Sequence, residues 1–229
     1  AGFEALVVTV DAPARDNNRE NNRRNGYTVP FSYNRRNTTA VMLRPGWFFG
    51  VLMRYWLTTG LPRRENFPTE FKEKFTQVSS AERKTKNDSL SWKDLDVLRD
   101  MWPGKLLVKG ILTPRDAELA IVHGADGVIV SNHGGRNCDS SMAPIEALAP
   151  IVDAVGHKTT VIVDSGFRRG SDVVKALAIG AKLVMVGRTT LWGTTIGGEA
   201  GAARAIDFFR QEINRQMAYL GCTSISQLN

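Results

Sequence analysis

Continuous runs of branched aliphatic residues, each closed by a polar residue or glycine, constrain this chain more than any other feature. The runs are LVVTVD at 6–11, LLVK at 106–109, GVIVSN at 127–132, TVIVD at 160–164 and LVMVG at 183–187. A strand with one wet face alternates apolar and polar residues. These do not, so they suit a parallel sheet buried on both faces. Helical patterns lie between them. Residues 114–122 have Thr113 as N-cap, Pro114 at the first helical position and Gly124 as the stop. Residues 143–155 and 171–179 read as further helices, the second stopped by Gly180. Residues 202–220 read as a long amphipathic helix before Gly221. This alternation means repeated βα units.

Strands of this kind suit an open doubly wound sheet or part of a barrel. No GxGxxG follows a strand, so the dinucleotide-binding form lacks its signature. In a (β/α)8 barrel, chemistry gathers at the C-terminal ends of the strands. Thr9, Asp11, Lys109, Ser131, His133, Asp164 and Arg188 all stand at such ends, which favours the barrel.

At 229 residues and 42% hydrophobic content the chain can bury a sizeable core, and disorder throughout is excluded. Cys138 and Cys222 are its two cysteines, with no CxxC pair. No disulfide framework or zinc site follows, and the two read as buried or incidental thiols in a reducing, intracellular setting. The opening residues lack the basic region and long apolar stretch of a signal peptide. They enter as if in the middle of an α/β repeat, so the chain is expected to be a piece of something longer.

Residues 13–90 interrupt the pattern. The whole net charge of +7 is concentrated at 13–75, which hold twelve Arg/Lys against five Asp/Glu. A basic excess confined to one segment points to an anionic surface as partner. Residues 15–25 read as a polar loop and 76–89 as a mobile solvent loop. Between them, 41–57 are apolar and aromatic but carry Arg44 and Arg54. That is too short and too charged for a membrane span. It suits a segment lying in a membrane interface, or an amphipathic helix packed on the barrel or in an oligomer contact.

The densest chemistry is SNHGGR at 131–136. His133 is the usual kind of general base near neutral pH, and Arg136 can clamp a carboxylate with two hydrogen bonds. A base beside such a clamp suggests proton removal from a 2-substituted acid. A turn with a surface His and Arg is the plainer account of the motif alone. Next come DSGFRRG at 164–170, opening a helix, and Gly187-Arg188. Loops after the last two barrel strands, near a helix N-terminus, commonly hold phosphate. The rival account is helix capping by Asp164 with surface arginines. Lys109 ends an earlier strand, where a buried ammonium needs an anionic or electron-accepting partner unless its head reaches solvent.

Taken in order, LLVKG, SNHGGR, DSGFRRG and VGR resemble the FMN-dependent L-2-hydroxy acid oxidising family, which includes glycolate and lactate oxidases and lactate and mandelate dehydrogenases. The likeness covers residues 1–25 and 90–229, with 6–13 resembling the family's fourth barrel strand. It implies an α/β (β/α)8 TIM barrel of which this chain supplies strands 4 to 8, with a long inserted loop after strand 4. Residues 1–229 would then be the C-terminal portion of one FMN-binding domain, and 13–89 an insertion within it.

The resemblance also implies roles. His133 would be the base, supported by Asp11, and Arg136 and Arg19 would hold the substrate carboxylate. Lys109 would face the flavin and stabilise its reduced form, while Thr9 and Ser131 would touch the ring. Asp164, Gly166, Arg168, Gly187 and Arg188 would hold the ribityl chain and phosphate. Electrons would pass from a lactate- or mandelate-like acid through FMN to a quinone, with residues 41–66 meeting the membrane. The protein would be cytoplasmic, peripheral on the inner membrane face and a homo-tetramer. A soluble oxidase passing electrons to O2 is the alternative within the family, and a non-redox phosphate-binding barrel the alternative outside it. A lipid- or RNA-binding module is the third reading, but no nucleic-acid motif appears.

Two departures stand out. The spacing from Asp11 to Arg19 is one residue longer than the family's, and Asn137-Cys138-Asp139 replaces the usual Gln-Leu-Asp. The family's first three strands and its substrate-binding tyrosines would lie upstream, on this or another chain.

Overall fold

The computed structural model describes residues 2–12, 33–60, 63, 72, 74 and 90–228. Arg19 and the loops expected at 15–25 and 76–89 lie outside the described residues. The chain divides into two compact units, residues 1–13 with 89–229 and residues 14–88.

In the first unit five parallel strands pair in sequence order, β1 Ala5–Thr9, β2 Lys105–Ile111, β3 Gly127–Val130, β4 Thr160–Val163 and β5 Leu183–Val184. A doubly wound sheet would reverse its strand order. This one runs β1-β2-β3-β4-β5, as successive units of a (β/α)8 barrel do. Its helices are α1 Trp92–Met101, α2 Pro114–Val122, α3 Pro144–Val155, α4 Gly170–Ile179 and α5 Arg188–Tyr219.

Side-chain parity sorts the sheet into two faces. Leu106, Val108, Val128, Val130, Val161 and Val163 are at most 1% exposed and form the core with Ala117, Ala120, Leu148, Ile151 and Val155 of the helices. In register on the opposite face run Thr9, Lys109, Ile129 and Ile162. Two residues further along their strands, Asp11, Ser131 and Asp164 continue that inner face. One irregularity keeps the pattern working. The register shifts between Lys109 and Ile111, at Gly110, whose φ is +111°. A Cβ at Gly110 would lie 2.6 Å from the Asp11 Cβ, so only glycine lets β2 pass the end of β1 here.

The expected helices form, with differences at their ends. α2 is capped by Thr113, whose hydroxyl accepts from Asp116 N at 3.1 Å, and α4 ends on Gly180 in the left-handed conformation. α1 was not anticipated, although Ser91 N and Oγ both donate to Asp94 Oδ2 at 2.7 Å to start it. The terminal helix begins much earlier than residue 202. It runs from Arg188 and is broken at Gly197 and Gly198, which leave helical geometry. The Thr- and Gly-rich sequence of its first half hides the helix from a propensity reading. Pairing of β5 fades after Met185, whose N–H donates to Val163 O at 2.9 Å, so the expected strand at 183–187 is cut short. Cys138 is exposed rather than buried.

At the N-terminal end of the strands Asp126 ties three elements together. It accepts from Leu106 N at 2.9 Å, Arg99 Nη1 at 2.9 Å and Lys105 Nζ at 3.1 Å. The Leu106 hydrogen bond first, then the two cations, holds its carboxyl below the ordinary carboxylate range.

In the second unit the described helical segments are Arg35–Met42, Pro45–Trp47, a π-helical stretch Phe48–Met53 and Arg54–Thr58, and Arg63 and Lys74 form an isolated antiparallel bridge. Asn34 caps the first, accepting from Asn37 N at 2.9 Å. None of these helical residues is fully buried, and Trp56 and Leu57 are 67% and 75% exposed.

Candidate active site

Every strand from β1 to β4 delivers a polar residue to the inner face at its C-terminal end, and these residues bond to one another. Ser131 is fully buried. Its hydroxyl accepts from Lys109 Nζ at 2.6 Å and from His133 N at 3.1 Å, and donates to Asp11 Oδ2 at 3.5 Å. Donor and both lone pairs are therefore used, which makes its burial tolerable. Lys109 Nζ also lies 3.0 Å from Asp164 Oδ2. The Lys109 ammonium is thus paired as well as burial demands, and Asp164 is its counter-charge. Helix capping by Asp164 is ruled out, because α4 starts at Gly170 and Asp172 Oδ2 takes the Arg168 and Arg169 N–H groups at 3.1 and 3.0 Å.

Asp11 Oδ1 lies 2.9 Å from His133 Nδ1. A carboxylate there keeps the proton on Nδ1 and leaves Nε2 with a free lone pair. Asn137 donates from Nδ2 to Asp11 O at 2.9 Å, which secures the end of β1. The turn after β3 is tight. His133 has φ +56° and Gly134 has φ +67°, and Asn132 Oδ1 accepts from Gly135 N at 3.1 Å. Arg188 Nη2 donates to Gly134 O at 2.9 Å, and a Cβ on Gly134 would sit 2.8 Å from that nitrogen.

A cavity of about 460 Å³ opens beside this network. Lys109, His133, Arg136 and Asp164 line one part of it, and Gly166, Arg168, Gly187 and Arg188 another. Eight of the residues singled out from the sequence thus meet in one hollow. Asp11 and Ser131 join it through His133 and Lys109. Thr9 stands in register with Lys109 on β1 and is exposed, with no side-chain hydrogen bond among the described residues. Arg19 lies outside the described residues. Arg136 is exposed and, among the described residues, its side chain takes no hydrogen-bond or ion-pair partner, which leaves its guanidinium free to face an anion.

Four residues in the site were not singled out from the sequence. Ser165 bonds both Asp164 and Gly134. Asn137 was noted only as a departure from the family pattern. Trp192 lines the cavity and lies under Arg168, whose Cζ is 5.6 Å from the ring centroid. Thr189 Oγ1 is buried without a hydrogen-bond partner among the described residues. The DSG order was the one available signal for Ser165, since a serine hydroxyl beside a turn glycine can bond nearby backbone.

The second part of the cavity fits a phosphate-bearing ligand. α5 begins with no side-chain cap, so its first N–H groups are open to an anion. Arg168 and Arg188 add charge there, and the orphaned Thr189 hydroxyl lies next in sequence. Chain neighbours aside, an added Cβ at Gly187 meets no atom of the described residues within 4 Å and would only fill the hollow, and at Gly166 the space is equally open although φ is +87°. A flavin mononucleotide needs an anion site of this kind together with a polar, cationic wall for its ring, and Lys109, held from behind by the buried Ser131 hydroxyl, lines the hollow with chemistry that fits the latter.

Comparison with known proteins agrees with this chemistry. Residues 1–229 match the family described as FMN-dependent dehydrogenase. An (S)-mandelate dehydrogenase of Pseudomonas putida is 39% identical over 228 residues, covering 100% of this chain and 56% of that protein. An L-lactate oxidase of Nostoc sp. is 37% identical over 229 residues, again covering 100% and 56%. Among solved structures, a monotopic membrane protein (S)-mandelate dehydrogenase superposes with a TM-score of 0.88 at 38% identity, covering 100% of this chain and 59% of that one. The chain spans just over half the length of the curated relatives it matches.

Proposed function

The chain belongs to the FMN-dependent dehydrogenase family, and from that premise we propose that the protein oxidises an L-2-hydroxy acid of the lactate or mandelate kind to its 2-oxo acid. The observation that carries the reading is the Asp11–His133 pair at 2.9 Å, with His133 lining the same cavity as an Arg136 whose side chain takes no partner among the described residues.

Arg136 binds the substrate carboxylate in a two-bond clamp, with Arg19 as the second arginine on the strength of the resemblance. His133 Nε2 accepts a proton, from the α-carbon or from the hydroxyl. Asp11 then faces the imidazolium and stabilises it as charge develops. Loss of two electrons and two protons leaves the 2-oxo acid. Bound FMN supplies the two-electron acceptance. Lys109, Thr9 and Ser131 would hold its ring, Asp164 its ribityl chain, and Gly166, Arg168, Gly187 and Arg188 its phosphate.

The electron acceptor proposed is a membrane quinone. Support comes from the second unit, where Trp47, Phe49, Tyr55, Trp56 and Leu57 are exposed close in sequence to Arg44 and Arg54. Aromatic and aliphatic groups flanked by arginines suit a lipid interface. Among the described residues no helix is long and apolar enough to cross a membrane. The protein would then be peripheral on the cytoplasmic membrane face and tetrameric. Residues 1–229 would form the C-terminal portion of one barrel domain, with 13–89 inserted in it.

The test is an anaerobic visible spectrum of the complete protein before and after L-lactate and (S)-mandelate. Bleaching of the flavin bands by one acid is expected. Flavin that stays oxidised with both would remove lactate and mandelate as the substrates while leaving the FMN barrel in place. Rapid peroxide release in air would replace the quinone with O2.

A further inference from the structure

Among the described residues, two that are not glycine hold a positive φ, His133 at +56° and Ser165 at +74°. Both lie in turns that follow neighbouring strands. Glycine would occupy the Ser165 conformation with less strain, so the serine side chain needs its own reason to be there. That reason is its hydroxyl. Ser165 Oγ donates to Asp164 Oδ1 at 2.6 Å and accepts from Gly134 N at 2.9 Å. The other oxygen of Asp164 holds Lys109 Nζ at 3.0 Å, Lys109 donates to Ser131 Oγ at 2.6 Å, and Ser131 receives His133 N at 3.1 Å. Ser165 therefore closes a ring of bonds that begins and ends on the His133–Gly134 turn.

We propose that Ser165 is a positioning residue for the reaction. Its hydroxyl locks the turn that aims the His133 imidazole to the Asp164–Lys109 pair on the cofactor side of the cavity. Proton removal and electron acceptance must occur across a fixed gap, and sub-ångström drift between the two groups lowers the rate without weakening binding. The ring of bonds holds that gap, and the left-handed backbone of Ser165 is what brings its hydroxyl within reach of both strand ends. This inference rests on the function proposed above and deepens it.

The experiment compares the complete wild-type protein with Ser165→Ala and Ser165→Gly. Both variants lose the hydroxyl, but glycine also relieves the positive φ. Four quantities are read: amide hydrogen exchange in the segment containing Gly134, bound FMN, thermal midpoint, and anaerobic bleaching at saturating L-lactate or (S)-mandelate, whichever bleaches wild type. Both variants are expected to exchange faster at that segment. Both should bleach about tenfold more slowly at saturation, with bound FMN and half-saturating acid changed by less than about twofold. The glycine variant should be the more heat-stable of the two. A purely structural role would make bleaching follow heat stability, with glycine near wild type, and would overturn the proposal. Unchanged exchange and bleaching in both variants would overturn it as well. A wild-type flavin that neither acid bleaches would instead defeat the proposed function, and this inference with it.

Discussion

Asp11 Oδ1 stands 2.9 Å from His133 Nδ1, across 122 positions of sequence, and joins the end of β1 to the turn after β3. The pair has one chemical consequence, a histidine whose Nε2 is free to take a proton and whose resulting charge is met by a carboxylate. His133→Ala should therefore lower turnover by roughly 10²–10⁴-fold while FMN stays bound. Asp11→Asn should cost about 10–100-fold, because an amide can hold the ring but not its positive charge. Stopped-flow bleaching against flavin content checks both, and near-normal turnover in His133→Ala would remove His133 from the mechanism.

Arg136 separates binding from chemistry. Hydrogen bonds to charged groups contribute about 1.5–3 kcal/mol each. Arg136→Met should raise the half-saturating concentration of the hydroxy acid by roughly 10–100-fold. Lysine should restore part of the loss, since it keeps the charge but not the two-bond fork. An unchanged half-saturation in the methionine variant would place the carboxylate elsewhere.

Gly110 is a packing prediction. A methyl at this position would meet Asp11 at 2.6 Å on a backbone with φ +111°. Gly110→Ala should destabilise the fold by about 1–3 kcal/mol and displace Asp11 from His133. Denaturant melts read the first effect, and a turnover loss resembling that of Asp11→Asn reads the second.

Asp126 gives a pH prediction with a definite sign. Its folded carboxyl lies below the ordinary range because Leu106 N, Lys105 and Arg99 favour the charged form. Its contribution is present above the unfolded carboxyl pKa and is lost as pH falls through the lower, folded one. Asp126→Asn should thus lower stability near neutrality by about 1 kcal/mol, with wild type and variant converging in acid. Turnover of the folded protein should not change, because this residue sits at the strand ends opposite the cavity. Thermal melts across an acid-to-neutral series decide it.

The second unit carries the acceptor question. Replacing Trp56 and Leu57 together by Ser should release the protein from anionic vesicles by roughly tenfold or more and leave bleaching by the hydroxy acid intact. Vesicle sedimentation that ignores the change would detach these residues from the lipid.

Five strands, their parallel pairing and most of the helices were legible in the sequence, because burial on both faces demands unbroken aliphatic runs and because Thr113, Pro114 and Gly180 mark helix ends through local backbone chemistry. That His133, Arg136, Lys109, Asp164 and Arg188 would line one hollow was legible for a related reason. Residues just beyond such runs must gather at one end of a parallel sheet. The first half of α5 was not legible, since its threonines and glycines argue locally for a turn. Likewise the sequence separates Lys109 from Asp164, and Gly134 from Ser165, by distances over which no local rule operates. Their bonds follow from strand register, and register depends on which strands are neighbours and on the one-residue shift at Gly110. A slip of one position would turn Lys109, Ser131 and Asp164 toward the helices. Local sequence chemistry thus determined which groups are available, and the closed set of long-range strand pairings decided which of them touch.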